Sequence, residues 1–201
     1  MKNPFARQIN YSALDEAELV ALAKTDRDAF GELYERYLDK MYSYVYYRTG
    51  NSHDAEDLTA KVFLRAFARI GKYVDRGLPF QAWLYRIAHN LVANWYRDQS
   101  RRKIIALEDY LGQDLLSDAP DARAERRDEH DELLRAVRRL PAERQQLLIL
   151  KVVEGLPNRE IGIIMGRSEG AIKSLYHRTL LALRAELSAE QANTNVKRTS
   201  G

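Results

Sequence analysis

The chain has 201 residues, of which 30% are charged, and its formal net charge is +3. This length accommodates one medium or two small domains, and the composition is that of a globular protein. The absence of cysteine excludes disulfides and thiolate metal sites, and the four histidines are too scattered to form a metal-binding pair. No apolar run is long enough for membrane insertion and no signal-peptide pattern is present, so we expect a cytoplasmic protein.

Four helices are predicted in the first half of the chain from the spacing of its apolar residues. They cover residues 11–24, 29–48, 53–70 and 80–102. Between the last two, residues 71–79 contain two glycines and a proline and are predicted to form a loop. Because no segment alternates apolar and polar residues between turn signals, we predict an all-α fold.

The composition changes after the fourth predicted helix. Residues 104–121 contain five acidic side chains and no lysine or arginine, a pattern typical of a flexible linker between domains. We therefore predict two small helical domains, at residues 1–103 and 122–188. The polar segment 189–201 is predicted to be a disordered tail.

A helix-turn-helix motif is predicted in the second domain, at residues 158–187. Asn158 is placed to cap a short first helix, and Gly166 is placed to end it with a positive φ angle. Ser168 can then cap a second helix that has Glu169 in its first turn. Two helices joined by so short a turn are typical of DNA-binding proteins.

The second helix of this motif separates into an apolar face and a polar face at about 100° per residue. The apolar face carries Ile172, Leu175, Tyr176, Thr179 and Leu183. The polar face carries Lys173, Ser174, His177 and Arg178. Such side chains can contact phosphates and base edges in the major groove of DNA. The alternative interpretation is the ordinary solvated face of an amphipathic helix.

The fourth predicted helix combines aromatic, basic and amide side chains. Its polar candidates are Arg86, Asn90, Asn94 and Arg97, and the preceding loop adds Lys72, Tyr73 and Arg76. Single-stranded DNA needs this combination, because cations hold its phosphates, rings stack on its bases and amides read base edges. The loop could hold a base that is turned out of the duplex. For Trp83 and Trp95, an ordinary place in the core is the alternative to base stacking.

The third predicted helix begins with three acidic side chains, Asp54, Glu56 and Asp57. A metal-dependent nuclease would need such carboxylates, but no further carboxylate is placed to complete a two-metal site. Acidic residues in a first turn also stabilise the helix dipole. The cluster is therefore interpreted as a solvated face or as a protein-docking face. With no other catalytic constellation in the chain, we predict neither an enzyme nor a cofactor or metal site.

Three segments of the chain together point to a known family. They are residues 54–67 (DAEDLTAKVFLRAF), residues 80–97 (FQAWLYRIAHNLVANWYR) and residues 140–178 (LPAERQQLLILKVVEGLPNREIGIIMGRSEGAIKSLYHR). In this order and spacing they closely resemble the extracytoplasmic-function (ECF) sigma factors of bacterial RNA polymerase. The resemblance covers roughly residues 28–187.

The resemblance implies a dissociable specificity subunit of the polymerase. Its first domain would bind the β′ coiled coil through the acidic helix, with Asp54, Asp57 and Lys61 on the docking face. The loop and fourth helix would open and read the minus-ten promoter element as a single strand. The second domain would sit on the β flap and place its recognition helix on the minus-thirty-five element. An inhibitory anti-sigma factor is a further partner that the family implies.

Three departures from the family pattern affect the expected contacts. The family commonly has Gln-Glu where this chain has Ala60-Lys61, which alters the charge of the docking face. It often has Asp at the position of Asn94 and Arg at the position of Leu175.

The competing functional hypothesis is a polymerase-independent helix-turn-helix regulator, which usually binds a palindromic site as a symmetric dimer. That hypothesis leaves the first domain without a role.

Overall fold

The computed structural model describes residues 9–74, 79–98 and 132–199, with residues 189–199 described as backbone only. Within these ranges the chain forms helices and no strand, as the sequence predicts. The predicted linker at residues 104–121 and the candidate Arg76 lie outside the described residues.

The described residues of the first domain form four α-helices and two short 3₁₀ turns. The 3₁₀ turns are Tyr11–Ala13 and Ile70–Lys72, and the helices are α1 (Glu16–Ala23), α2 (Arg27–Thr49), α3 (Ser52–Arg69) and α4 (Phe80–Asp98).

Local capping residues set the bounds of these helices. The Asp26 carboxylate accepts a 2.9 Å bond from the Asp28 amide at the start of α2. Gly50 ends α2 in the left-handed region at φ 65°, where a side chain is disfavoured. Asn51 then caps α3 by accepting a 3.0 Å bond from the Asp54 amide. Two capping side chains and one glycine with a positive φ angle thus fix these helix ends.

The second domain contains four described α-helices and one π-helical segment. They are α5 (132–139), α6 (Ala142–Leu148), the π segment (Ile149–Val153), α7 (Asn158–Met165) and α8 (Glu169–Thr199).

Two sequence predictions for this domain are corrected. Asn158 does not cap α7, because Pro157 occupies the cap position and Asn158 is the first helical residue. Proline suits this position, since the first helical turn leaves its amides without intrahelical partners. The predicted disordered tail at 189–201 is also wrong in part, because α8 continues to Thr199. Residues 186–192 are mostly strong helix formers, and residues 171–199 contain no glycine or proline.

Aromatic side chains dominate the core of the first domain. Tyr44 and Tyr85 are fully buried and meet edge-to-face, with ring centroids 5.2 Å apart. Tyr37 and Phe80 make a similar edge contact at 5.6 Å. Such pairs add to the stability gained from burial of their apolar area. They fix α4 against α2 and thereby set the direction of the polar face of α4.

The two domains pack against each other, a contact the sequence did not predict. Helix α4 of the first domain lies against α7 of the second. Two side-chain bonds cross the contact, from the Tyr85 hydroxyl to the Glu154 carboxylate and between Gln146 Nε2 and His89 Nδ1 at 2.6 Å. The four residues Tyr85, His89, Gln146 and Glu154 are called the polar seam below.

Candidate nucleic-acid and polymerase interfaces

The helix-turn-helix turn has a tight geometry that depends on two glycines. Gly166 has φ 68°, and the Arg167 amide donates to the Gly162 carbonyl at 2.8 Å. A Cβ atom on Gly162 would lie 2.6 Å from the Arg167 carbonyl oxygen, closer than non-bonded atoms approach. The Ser168 hydroxyl accepts from the Ala171 amide at 3.2 Å and so caps α8 as predicted. The turn therefore fixes the orientation of α8 relative to α7.

The polar face of α8 is open to solvent, as the sequence predicts. Its four candidate residues are exposed: Lys173, Ser174, His177 and Arg178. The opposite face packs into the domain, with Ile172, Leu175 and Thr179 all buried. The Arg178 guanidinium donates to the Ser174 carbonyl at 3.3 Å, which holds it along the exposed face. This arrangement presents two cations and two hydrogen-bonding groups on one side of a helix.

An ion pair braces the turn from a neighbouring helix. Arg167 Nε lies 2.7 Å from a carboxylate oxygen of Glu143, near the start of α6. Both side chains are 44% exposed, so solvent screens the pair and its contribution to stability is small. Its geometric effect is to hold the turn against α6.

The candidate residues of α4 form one stripe along that helix. Arg86, Asn90 and Arg97 are exposed and Asn94 is half-buried. Successive members are three or four positions apart, which places them on one side of the helix. Arg97 donates to the Asn94 side-chain oxygen at 2.7 Å, and Lys72 is exposed in the turn before the loop. The stripe offers two cations to a strand that follows the helix, and Lys72 adds a third near its start.

Tyr73 is not available as a stacking ring, which corrects its assignment to the single-strand site. Its side chain is only 6% exposed and packs against Phe80 and Trp83, with ring centroids 5.9 and 5.1 Å away. Because aromatic rings pack against it on two sides, the Tyr73 ring is part of the core. Trp83 and Trp95 are both half-buried against the core, so each keeps part of its ring accessible.

The charged candidate residues of α3 differ in their exposure and in their contacts. Asp57 and Lys61 are exposed and lie one turn apart. Asp54 is half-buried, and its carboxylate accepts a 3.3 Å bond from the indole nitrogen of Trp95 on α4. Asp54 therefore links α3 to α4, whereas Asp57 is free to face a partner.

An apolar groove runs between α2 and α3 beside these charges. Its volume is about 450 Å³, and its lining residues are Arg27, Phe30, Gly31, Tyr34, Ala60, Phe63, Leu64 and Phe67. Leu64 is 68% exposed and Phe67 40% exposed, which is unusual for large apolar side chains on neighbouring turns. This groove was not predicted from the sequence, although Leu64 and Phe67 lie off the buried stripe of α3.

The pKa values of two residues in the polar seam, Glu154 and Tyr85, are raised. Burial raises the pKa of the Glu154 carboxyl, while the Tyr85 hydroxyl bond and the charge of Lys40 oppose that rise. Burial and the neighbouring Glu154 carboxylate also raise the pKa of Tyr85. No sequence signal identified these residues, because each occupies an ordinary helical or turn position.

The described residues contain neither a metal-binding cluster nor a membrane-spanning helix. No group of three or more histidine and carboxylate side chains there is arranged to hold a metal ion. No helix in the same ranges combines the length and apolarity needed to cross a bilayer.

Two family models match the chain. The model for sigma-70 region 2 matches residues 33–102, and that for sigma-70 region 4 matches residues 130–183. Together they cover more than half of the sequence. The first match contains the acidic helix α3 and the α4 stripe, and the second contains the helix-turn-helix.

Curated relatives agree with these matches. The chain is 40% identical over 167 residues to the ECF RNA polymerase sigma factor BldN of Streptomyces coelicolor, covering 83% of this chain and 63% of the relative. It is 30% identical over 174 residues to SigW of Bacillus subtilis, covering 82% of this chain and 91% of that one. The chain thus spans slightly less than two thirds of BldN, and 64% of SigE of Mycolicibacterium smegmatis.

A solved structure shares the fold. CnrH, in complex with the cytosolic domain of CnrY, matches with a TM-score of 0.61 and 22% identity, covering 87% of this chain and 97% of that one. The family models, the relatives and the two helical units described above agree, and the chain belongs to the ECF sigma factors of the sigma-70 family.

Proposed function

We propose that this chain is a promoter-specificity subunit of RNA polymerase, which binds the core enzyme and directs it to two promoter elements. The observation that carries the proposal is the presence of two exposed polar helix faces on separate domains, on α4 and α8. A polymerase-independent regulator needs only the second of them. The polymerase would perform the chemistry in the cytoplasm, so the chain itself needs no active site or cofactor.

The exposed face of α8 is the proposed reader of the minus-thirty-five element. Lys173 and Arg178 would contact phosphates or guanine edges, and Ser174 and His177 would add hydrogen bonds in the major groove. Burial of Leu175, where the family often has arginine, removes one contact and concentrates recognition on these four residues. A lost base contact costs about 1–3 kcal/mol, whereas a lost phosphate contact mainly reduces the salt dependence.

The α4 stripe is the proposed track for the non-template strand of the minus-ten element. Arg86 and Arg97 would hold phosphates, while the amides of Asn90 and Asn94 would meet base edges. Lys72 and Arg76 would extend the track into the loop. The partly accessible rings of Trp83 and Trp95 supply stacking surfaces at its two ends.

The groove between α2 and α3 is the proposed seat of the polymerase β′ coiled coil. An apolar trough with Asp57 and Lys61 on its edge suits an amphipathic helix of opposite charge pattern. Leu64 and Phe67 would supply buried contact area, and the charges would set orientation. Because Asp54 bonds to Trp95, docking on α3 would also steady the α4 stripe. The second domain would rest on the β flap.

Recognition of each promoter element by one domain is weak, but a chain that carries both domains selects promoters that have both elements. The linker raises the effective concentration of the second domain once the first is bound, so that a promoter with both elements is favoured. A matched structure of Bartonella quintana, 18% identical, shows the sigma factor RpoE with the anti-sigma factor NepR. An anti-sigma factor is accordingly a candidate inhibitory partner of this chain.

Run-off transcription with core polymerase and fragmented genomic DNA tests the proposal. Adding the chain is expected to produce start sites that core polymerase alone does not use, with a shared sequence near minus thirty-five and another near minus ten. The rival regulator predicts a dimer that protects a palindrome without polymerase. That result, together with unchanged start sites, would overturn the proposal.

A further inference from the structure

Two small residues line the groove between α2 and α3, Gly31 on α2 and Ala60 on α3. Gly31 lies inside α2 with a helical backbone, so no left-handed conformation requires a glycine there. A Cβ atom added to Gly31 would have no neighbouring atom within 4 Å. Glycine nevertheless weakens a helix interior relative to alanine. Packing and backbone geometry within the chain therefore give no reason for a glycine at this position.

Two edge-to-face ring pairs join the two helices along the groove. Phe30 meets Phe67 with ring centroids 5.0 Å apart, and Tyr34 meets Phe63 with centroids 4.7 Å apart. All four rings line the groove. Because such pairs favour particular relative orientations of their rings, they hold α2 against α3 beside the small residues. The groove is therefore preformed, and its occupation requires little reordering of the free chain.

The ring pairs also show how the small residues are spaced along the groove. Position 30 pairs with position 67 and position 34 with position 63, so α2 and α3 run antiparallel. By the same count Ala60 lies level with position 37 of α2, about 9 Å from the level of Gly31 along the helix axes. Leu64 lies between these two levels and is 68% exposed. The groove thus has one gap beside Gly31, a second gap beside Ala60, and a protruding apolar side chain between them.

A helix is the element that fits these features. Seven residues of α-helix span about 10.5 Å, so apolar side chains at positions i and i+7 of a partner helix would reach the two gaps. Leu64 would enter the space between them, as a knob enters a hole between packed helices. The distance between packed helix axes depends on the side chains at the contact. Small residues at both gaps would therefore let the partner helix lie close to α2 and α3.

The exposed charges beside the groove differ between its two sides. On α2, Asp28 and Glu35 are exposed and lie three and four positions from Gly31, on the same side of the helix. On α3, Lys61 is exposed beside the second gap, and Asp57 lies one turn before it. A complementary helix is basic on the side that faces α2 and of mixed charge on the side that faces α3. This asymmetry would set the direction of the bound helix.

From these observations we propose that Gly31 and Ala60 are specificity-determining residues for polymerase docking, because the gaps beside them receive two bulky apolar side chains of a helix of the core enzyme. The inference rests on the proposed function for the identity of the partner, and it adds the residues that set how closely that partner is seated. Glycine at position 31 then lowers the stability of the free chain and raises its affinity for polymerase.

Gly31→Ala tests the first gap by two measurements with opposite expected signs. The change replaces a glycine inside a helix at an open position, so the melting temperature of the free chain should rise by about 1–4 °C. The added methyl group would occupy space that the partner side chain needs. The affinity of the whole chain for core polymerase, measured by fluorescence anisotropy without DNA, should therefore fall by about fivefold or more.

Ala60→Gln tests the second gap. It fills the gap with a longer side chain, so the affinity for core polymerase should fall by about tenfold or more. Because position 60 is exposed, the melting temperature should change by less than about 2 °C. Glutamine is common at this position in the family, so a docking mode that does not use the gap predicts unchanged or higher affinity instead.

Two control variants make the same chemical changes away from the groove. Gly170→Ala alters a helical glycine on α8 whose added Cβ would also have no neighbour within 4 Å. Ala93→Gln alters an exposed alanine on α4. Both should bind core polymerase like the parent chain in the absence of DNA. Circular dichroism checks that every variant keeps its helices.

The outcomes separate the role of the gaps from the proposed function. If the parent binds core polymerase and Gly31→Ala and Ala60→Gln bind equally tightly, the gaps have no role in docking, although the promoter-specificity function stands. A parent chain that does not bind core polymerase would overturn both. Lower affinity in both groove variants, together with a stabilised Gly31→Ala chain and unaffected controls, would support the inference. An equal loss of affinity in the controls would contradict it.

Discussion

Truncation of Leu64 tests the proposed docking groove with a calculable effect. This side chain is 68% exposed in the free chain, so docking of a helix can remove that fraction from solvent. Leu64→Ala deletes three carbon atoms, each worth about 0.8 kcal/mol when fully buried, and about two-thirds of that total is available. The expected loss is about 1.6 kcal/mol, or roughly fifteenfold in affinity for core polymerase.

Fluorescence anisotropy of the labelled chain with core polymerase, in the absence of DNA, measures this loss. Because Leu64 is exposed, its truncation should change the free energy of unfolding by less than about 0.5 kcal/mol. Val74→Ala, at a side chain that is 60% exposed outside the groove, is the matched control and should bind like the parent. Equal affinities for the parent and Leu64→Ala would refute the assignment of the groove.

Four further results are expected. Asp57→Arg should weaken binding to core polymerase while leaving the melting temperature unchanged; unchanged affinity would make this residue solvated surface. Arg178→Ala should weaken binding to the upstream element by about 1–3 kcal/mol, the cost of a lost base-edge contact. Footprints of the holoenzyme at several concentrations measure this loss. Gly162→Val should destabilise the second domain, measured by thermal unfolding, since even its Cβ would lie 2.6 Å from the Arg167 carbonyl oxygen. Raising the pH from about 4 toward 8 should lower the free energy of unfolding of the parent more than that of Glu154→Gln, because burial raises the pKa of Glu154 and its charged form disfavours the folded state.

Local signals in the sequence were sufficient for most of the helix ends. Gly166 and Ser168 each act on their own turn, through a positive φ angle and a side-chain cap respectively, and were predicted correctly. The exposed polar face of α8 was also predicted, because a helical period alone separates the two sides. Asn158 was misassigned since proline at the preceding position takes the cap.

Tertiary contacts explain what the sequence could not predict. A tyrosine at position 73 is compatible with base stacking and with a place in the core. Only its contacts with Phe80 and Trp83 show that the ring belongs to the core. The polar seam joins Tyr85 to Glu154 over a sequence separation of 69 residues, which no periodicity reveals. The groove is equally a product of two helices, although exposed apolar residues on α3 gave a partial signal.

The central claim is that two faces of one chain read two separate elements of one promoter within the polymerase complex. Photo-crosslinkers attached to single cysteines at Asn90 and at Ser174, in otherwise cysteine-free chains, test it directly. In holoenzyme on a mapped start site, the probe at 90 should crosslink to the non-template strand near minus ten and the probe at 174 near minus thirty-five. Crosslinks from both probes to the same element, or from the 174 probe to protein alone, would contradict the account.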